Sequence, residues 1–300
     1  MSQPSSGSSG HLQWLLLALL PIILFAVLYG LPVYQLFRGS LDRFDPITGA
    51  SSAFQFDFYT KFLTDSFYLG VLWRTIRISL MITVICAVAG YPISYFIART
   101  ESRFRTFMLI VLIVPMVTSP VVIAYGWLII LGTKGIVNDT LIGLGLVDSP
   151  VKLVFREFTL VLGLVYANCA FMIFAVSASL RSLDWNLVLA SRSLGASGRR
   201  AFMAIVLPLS LPGLAAGSLI VFSLSMSAYA VPALVAGPQV KVMSVLIYQQ
   251  GMSLLNWPFA ACMSVILVVC TTGILSGWRG LEMLNGALAR RRSIAADGGN

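Results

Sequence analysis

Continuous apolar runs, separated by short polar or charged segments, dominate this chain. Six of the runs reach the roughly 20 residues that a helix needs to cross the hydrocarbon core of a membrane. Because the runs are continuous and not alternating, they do not fit the strands of a β-barrel. The pattern predicts an all-α transmembrane protein, a bundle of six helices. The predicted spans are Leu12–Leu36, Ile78–Ala98, Phe107–Thr133, Phe158–Leu180, Ile205–Val231 and Phe259–Trp278.

Three segments do not fit a simple span. The stretch 201–240 holds no charge, but it is too long for one helix and is broken at Pro232 and Pro238, so the fifth span ends before them. The apolar segment Val242–Leu255 is only 14 residues long, which favours a re-entrant or interfacial position over a seventh span. The segment Arg38–Arg77 mixes aromatic and charged residues, which is typical of a helix lying at the membrane interface.

The composition supports a multi-pass membrane protein. Charged residues make up 10% of the chain and hydrophobic residues 58%, whereas soluble domains are about a quarter charged. We expect one transmembrane domain at 12–280, between a polar cytoplasmic tail at 1–11 and a basic cytoplasmic tail at 281–300. The net charge of +9 does not indicate nucleic acid, because the basic residues lie between apolar runs and form no cluster with interleaved aromatics.

Orientation follows from the distribution of Lys and Arg. With both termini inside, eleven of the twenty basic residues lie on the cytoplasmic side, as the positive-inside rule prefers. The loops 132–157 and 233–258 then face outward. The chain is thus expected in a bacterial inner membrane with both termini in the cytoplasm.

Signals for catalysis are absent from the sequence. There is no phosphate-binding loop of the GxxxxGK(S/T) pattern, no GxSxG motif, and a single histidine, His11, in the polar tail. We therefore expect no enzyme activity and no metal or cofactor on this chain. No Asp or Glu lies at the centre of a span, which disfavours a proton-driven carrier.

A short basic stretch, "SRSLGASGRR" at Ser191–Arg200, lies between the fourth and fifth spans. Asp184 is placed to cap a short helix before it, and Gly195 is placed to end that helix in a left-handed turn. Ser197 is placed to cap the helix that follows. Leu187, Ala190 and Leu194 recur at helical spacing on one face. The alternative is an ordinary positively charged loop.

The stretch "LASRSLGASGRRAFMAIVLPLSLPGL" resembles the cytoplasmic signature of the type I permeases of binding-protein-dependent ABC importers. The matching positions are Ala190, Gly195, Ile205, Leu207 and Pro208. Leu189 stands where the family has Glu, and Ser191 replaces its second Ala. The stretches "VPMVTSPVVIAYGWLIILGTKGIVNDTLIGLGL" and "SAYAVPALVAGPQVKVMSVLIYQQGMSLLNWPFAA" resemble the spermidine/putrescine-type branch. The likeness covers roughly 55–280.

The resemblance implies a type I permease fold with a cytoplasmic coupling helix between spans four and five. It implies several partners: an ATP-binding subunit dimer that holds ATP and Mg²⁺, a periplasmic solute-binding protein, the lipid bilayer, and a second permease subunit, a paralogue in preference to an identical copy. The residues expected to couple to the ATPase are Leu187, Ala190, Leu194, Gly195, Ala196 and Arg199.

Polar side chains within the spans are candidates for a translocation path, since such groups usually face the bundle interior. The alternative is that they only join helices or bond to their own backbone. The candidates are Thr118, Tyr125, Tyr166, Asn168, Ser227 and Tyr229.

The expected function is the translocation subunit of an importer for a polyamine, amino-acid derivative, opine, phosphonate or similar amine. Polyamine-type relatives carry an acidic residue after span five, where this chain has "AYAVPALVAG", so zwitterionic amines stay open as substrates. The alternative function is a stand-alone channel or secondary carrier.

Overall fold

The computed structural model describes residues 9–45, 49–51 and 54–297. Within these ranges the backbone is almost entirely helical, with one short antiparallel hairpin. The elements are α1 (Ser9–Gly39), β1 (Arg43–Asp45), β2 (Gly49–Ser51), α2 (Asp57–Thr64), α3 (Ser66–Arg99), α4 (Arg103–Val117), α5 (Pro120–Leu131), α6 (Ile136–Gly143), α7 (Glu157–Arg181), α8 (Trp185–Ser193), α9 (Gly198–Ala201), a π-helix (Phe202–Val206), α10 (Leu207–Ser227), α11 (Ala230–Val235), α12 (Met243–Tyr248), a second π-helix (Gln249–Ser253) and α13 (Trp257–Asp297).

Six helical stretches of the described residues are long and apolar enough to cross a membrane, which confirms the all-α transmembrane prediction. They are Pro21–Gly39, Ser66–Arg99, Pro120–Gly143, Glu157–Arg181, Gly198–Ser227 and Trp257–Trp278.

The predicted third span, Phe107–Thr133, is wrong as a single helix. The chain is extended at Thr118 and Ser119, and α5 begins at Pro120. Proline disfavours the helical conformation in the residue before it, and Ser119 accordingly adopts φ −57° and ψ 136°. The apolar stretch that can cross a membrane is therefore Pro120–Gly143, which begins after this break.

Other boundaries also differ from the prediction. The second span starts at Ser66 and not at Ile78, so α3 takes up residues 66–77 of the segment that we assigned to an interfacial helix. The part of that segment before Ser66 contains the β1–β2 hairpin and the short helix α2. The fifth span begins earlier than Ile205 and ends at Ser227, four residues before the predicted end.

The predicted tails extend beyond the described residues. Of the polar tail at 1–11, residues 1–8 lie outside the described part, and α1 begins at Ser9. Of the basic tail at 281–300, residues 298–300 lie outside it. The membrane span at the start of α13 is Trp257–Trp278, which ends where the prediction put it, and the helix backbone continues to Asp297.

The described residues fall into two compact units. The first comprises those up to Asp65 together with Ile247–Val268. Within it, the Tyr59 hydroxyl and the Ser40 hydroxyl lie 2.7 Å apart, and burial raises the pKa of the Tyr59 phenol. The ring centres of Phe259 and Phe58 lie 5.3 Å apart, and the Lys61 ammonium lies 5.1 Å from the centre of the Phe259 ring. Aromatic contacts thus join α2 to the start of α13.

The second unit comprises Ser66–Leu246 with the described residues from Val269. Its core is formed by α3, α7 and α10, whose buried side chains include Ile82, Met172 and Val221. Close approach of α10 to α7 depends on Gly213, where a Cβ would lie 2.3 Å from the Cβ of Ser179. Small residues at the contact surface allow such close approach of the backbones of membrane helices.

Each pair of these three helices is joined by at least one hydrogen bond between buried or partly buried groups. Such bonds are worth about 0.6 kcal/mol on average inside a membrane, so they set register more than stability. These bonds include Ser94 Oγ to Ile173 O (3.1 Å), Tyr91 Oη with Ser210 Oγ (2.7 Å) and Asn168 Nδ2 to Ser225 Oγ (3.1 Å).

Candidate functional site

The loop between α7 and α10 folds as the sequence predicts. The Asp184 carboxylate accepts a hydrogen bond from the Asn186 amide at 3.0 Å, which caps α8. At its other end Gly195 has φ +88°. The Ala196 amide bonds to the Ser191 carbonyl and the Gly195 amide to the Arg192 carbonyl, both at 3.0 Å. This pair of bonds defines a Schellman turn with glycine in the left-handed position.

The second half of the loop returns the chain to the membrane-spanning part. The Ser197 hydroxyl accepts a bond from the Arg200 amide at 3.3 Å, as expected for a helix cap. Arg199 lies exposed on α9, and Ala196, in the turn, is half-buried. The predicted helix–glycine–helix hairpin is therefore confirmed as local structure.

The two faces of α8 differ sharply. Trp185 and Val188 pack against the core of the second unit. On the other face Ala190 is exposed, Leu187 is 50% exposed and Leu194 is 90% exposed. The core side fixes the helix in place, and the opposite side presents a stripe of small and aliphatic side chains.

A π-helix at Phe202–Val206 joins α9 to α10, a feature that the sequence analysis missed. The Leu207 amide bonds to the Phe202 carbonyl, five residues back. Pro208 lacks an amide hydrogen, and its ring would clash with the carbonyl four residues earlier. The wider turn avoids this clash, so the Leu-Pro pair was the available signal.

Two candidates for the translocation path flank a break in a helix. α10 ends at Ser227, Ala228 is extended, and α11 begins after Tyr229. The Ala228 carbonyl, which the break leaves without a helical partner, accepts a bond from the Ser244 hydroxyl at 2.5 Å. Interrupted helices of this kind frame the substrate sites of many transporters.

Three further candidates lie at the end of α4, on α5 and on α7. Thr118 lies at the break between α4 and α5, and its hydroxyl bonds to the Val114 carbonyl of its own helix at 2.7 Å. The rings of Tyr125 and Tyr166 are 53% and 42% exposed. Trp127, which the sequence analysis did not select, packs edge-on against Tyr166 with ring centres 6.0 Å apart.

The remaining candidate, Asn168, is not exposed. It is 7% exposed, and its side-chain amide donates to the hydroxyl of buried Ser225. In this structure Asn168 therefore joins α7 to α10. Ser227 is exposed, but its hydroxyl bonds to carbonyls of its own helix, which is the alternative considered for such residues.

The chain was compared with known proteins. The family model described as "Binding-protein-dependent transport system inner membrane component" matches residues 90–276. The chain belongs to this family. PotB of Escherichia coli K12, a "Spermidine/putrescine transport system permease protein", is 35% identical over 242 residues, which cover 80% of this chain and 88% of PotB. The inner membrane ABC transporter permease protein YdcU of the same organism is 29% identical over 289 residues, covering 89% of this chain and 91% of YdcU.

Solved structures of importers share the fold. A chain of a bacterial ABC transporter involved in the import of alginate superposes with a TM-score of 0.72 at 18% identity, covering 89% of this chain and 94% of that one. A chain of the MetNI methionine transporter superposes with a TM-score of 0.51 at 17% identity, covering 73% and 97%. The permease is thus a multi-pass inner-membrane protein and the translocation subunit of an ABC importer.

Proposed function

We propose that this permease carries a small organic amine, delivered by a periplasmic binding protein and driven by a separate ATP-binding dimer. The named relatives of the PotB type support polyamines as the first candidates. The stretch 201–240 holds no charged side chain, so no carboxylate there recognises a cation. Aromatic faces such as those of Tyr166 and Tyr229, which attract ammonium groups, would supply that recognition.

The exposed stripe on α8 is the observation that carries the proposal. Leu194 is 90% exposed beside Leu187 and Ala190, in a loop whose other residues include Asp184, several serines and three arginines. Exposed apolar patches rimmed by polar residues mark protein interfaces. We assign this surface, with Gly195 and Ala196 in the turn and Arg199 on α9, as the coupling helix that docks on the ATPase.

Motion of this hairpin would reach the substrate path through α10. The hairpin continues through the π-helix into α10 without a break, and α10 ends at the Ala228 interruption. Alternating access then requires that ATP binding moves α8 and that α10 transmits the movement to the path. Tyr125, Tyr166, Ser227 and Tyr229 supply exposed groups for that path. Thr118 bonds to its own helix and Asn168 joins α7 to α10, so we assign them a structural role beside the path.

In the proposed orientation both termini and α8 face the cytoplasm, and the chain acts as one permease domain beside a paralogous partner. Labelling with an impermeant thiol reagent tests this orientation in spheroplasts of a variant without native cysteines. Asp139→Cys and Gln239→Cys, both at exposed positions, should react in intact cells. Leu194→Cys should react only after lysis, and the reverse pattern would invert the topology.

The function itself is tested by reconstitution in liposomes. Permeases, ATPase and binding protein together should import labelled putrescine or spermidine with ATP, with a zwitterionic amine as the competing substrate. This chain alone should neither hydrolyse ATP nor transport. Uptake by the chain alone would establish the stand-alone channel or carrier instead.

A docking variant completes the test. Leu194→Asp should abolish pull-down of the ATPase, because it places a charge in the centre of the apolar stripe. Leu144→Asp is the matched control, since Leu144 is also an exposed leucine, at 68%, but lies in the loop after α6. Equal loss in both variants would mean that the stripe is not a specific interface.

A further inference from the structure

A cavity of about 470 Å³ lies behind α8, on the side opposite the exposed stripe. Its walls are the ends of α3 and α7, the first turn of α4, α8 itself and the π-helix. Four arginines line it, Arg99, Arg105, Arg181 and Arg192, against one carboxylate, Glu101. The cavity is therefore strongly basic.

These arginines are not neutralised within the described part of the chain. Among the side chains that the structure describes, the ion pairs are Arg38–Asp42 and Arg77–Glu157, neither of which involves the cavity. Arg99 is held by the Tyr95 hydroxyl at 3.0 Å and by the ring of Trp185, 5.3 Å from its guanidinium carbon. The aromatic residues orient its guanidinium but supply no negative charge.

Arg105 supports an anion-binding role of the cavity in a second way. Its Nε atom is buried and has no hydrogen-bond partner. A buried donor without a partner destabilises a protein by about 1–3 kcal/mol, so a bound acceptor here would be stabilising. Guanidinium groups bind carboxylates and phosphates best, because their donors match the spacing of two oxygens.

An apolar surface lies next to the arginines in the sequence. Phe96 lies one turn before Arg99 on α3, and Phe104 immediately precedes Arg105 on α4. The rings of Phe96, Phe104 and Phe107 follow one another at 6.0 and 6.1 Å and are 42–59% exposed. A soluble phosphate has no apolar part that could contact this surface, whereas the acyl chain of a lipid could pack against it.

We propose that this cavity binds the phosphate of an anionic phospholipid, with the acyl chain along Phe96, Phe104 and Phe107. The proposal rests on the cytoplasmic orientation proposed above, which puts the cavity at the inner leaflet, where anionic headgroups meet basic pockets between helices. Val188 and Arg192 place one face of α8 on the cavity wall. The bound lipid therefore holds the coupling helix in position for the ATPase.

The test uses the purified full chain in a neutral detergent, with thermal unfolding and Trp fluorescence as readouts. Phosphatidylglycerol in mixed micelles should raise Tm, whereas phosphatidylcholine and inorganic phosphate at the same phosphate concentration should not. Arg105→Gln should weaken phosphatidylglycerol binding about tenfold, through loss of a charge-assisted hydrogen bond. Arg192→Gln should weaken it similarly and serves if the first variant does not fold.

Arg103→Gln is the matched control. Arg103 is exposed on the same helix, and its replacement removes the same charge outside the cavity, so lipid affinity should stay within about twofold. Equal weakening in this control would reduce the effect to general surface charge and overturn the proposal.

Two other outcomes would each reject the lipid site. Stabilisation by inorganic phosphate alone would assign the cavity to a soluble anion. Unchanged lipid binding in Arg105→Gln, with loss of ATPase pull-down, would assign it to a carboxylate of the ATPase. Either result overturns the lipid site. Because lipid binding is measured without transport, its failure is separate from failure of uptake in the reconstituted importer.

Discussion

Replacing Gly195 by alanine isolates the contribution of one backbone angle to coupling. Gly195 has φ +88°, and a Cβ added there would meet nothing within 4 Å. The substitution therefore introduces no clash, only the penalty of a left-handed conformation. Gly145 offers the matched control, because it has φ +67° and equally open surroundings but lies in the loop after α6.

The magnitude follows from this geometry. A residue with a Cβ destabilises the left-handed conformation by roughly 1–2 kcal/mol, which is about a 5- to 30-fold change in an equilibrium constant. Since the Schellman turn holds only the end of α8, the destabilisation should displace Leu194 from the stripe and leave α3, α7 and α10 packed. Valine at Gly195, being β-branched, should have a larger effect.

The assay is pull-down of the ATPase, with uptake measured in the same vesicles. Gly195→Ala should weaken association by about 5- to 30-fold at normal expression, and Gly195→Val should abolish coupled uptake. Gly145→Ala carries the same backbone strain away from α8 and should bind the ATPase like the parent. If Gly195→Val transports normally, the hairpin is a plain charged connector and the coupling assignment fails.

Two further substitutions test the packing of the second unit. Gly213→Ala should lower the stability in detergent by about 1–3 kcal/mol, because its Cβ would overlap Ser179, whereas Gly126→Ala, with nothing within 4 Å, should be neutral in thermal unfolding. Ser244→Ala removes the 2.5 Å bond to the Ala228 carbonyl and should lower stability by about 1 kcal/mol. An unchanged Tm would show that the helix interruption at Ala228 does not depend on this bond.

Short-range signals made the α7–α10 loop predictable. The caps at Asp184 and Ser197 and the stop at Gly195 each depend on bonds to residues two to five positions away. Such bonds can be inferred from local sequence alone. The number of spans was equally accessible, because it depends on the length of apolar runs.

Boundaries and pairings were harder to predict, for two physical reasons. The break before Pro120 and the π-helix before Pro208 arise from prolines that sit inside continuous apolar runs, so hydropathy does not detect them. The bond between Asn168 and Ser225 joins groups 57 positions apart. Whether such a residue faces a path or a neighbouring helix depends on packing, which one sequence does not reveal.

The π-helix at Phe202–Val206 allows the junction between the hairpin and the membrane helix α10 to change its register. It carries one residue more in its turn than an α-helix would, as the bond from Leu207 to Phe202 shows. If that surplus residue shifts along the helix, the residues that it passes rotate by about 100° and move by about 1.5 Å, while the segments on either side keep their register. The stretch next to the hairpin can thus present a different face to its neighbours without breaking the helix.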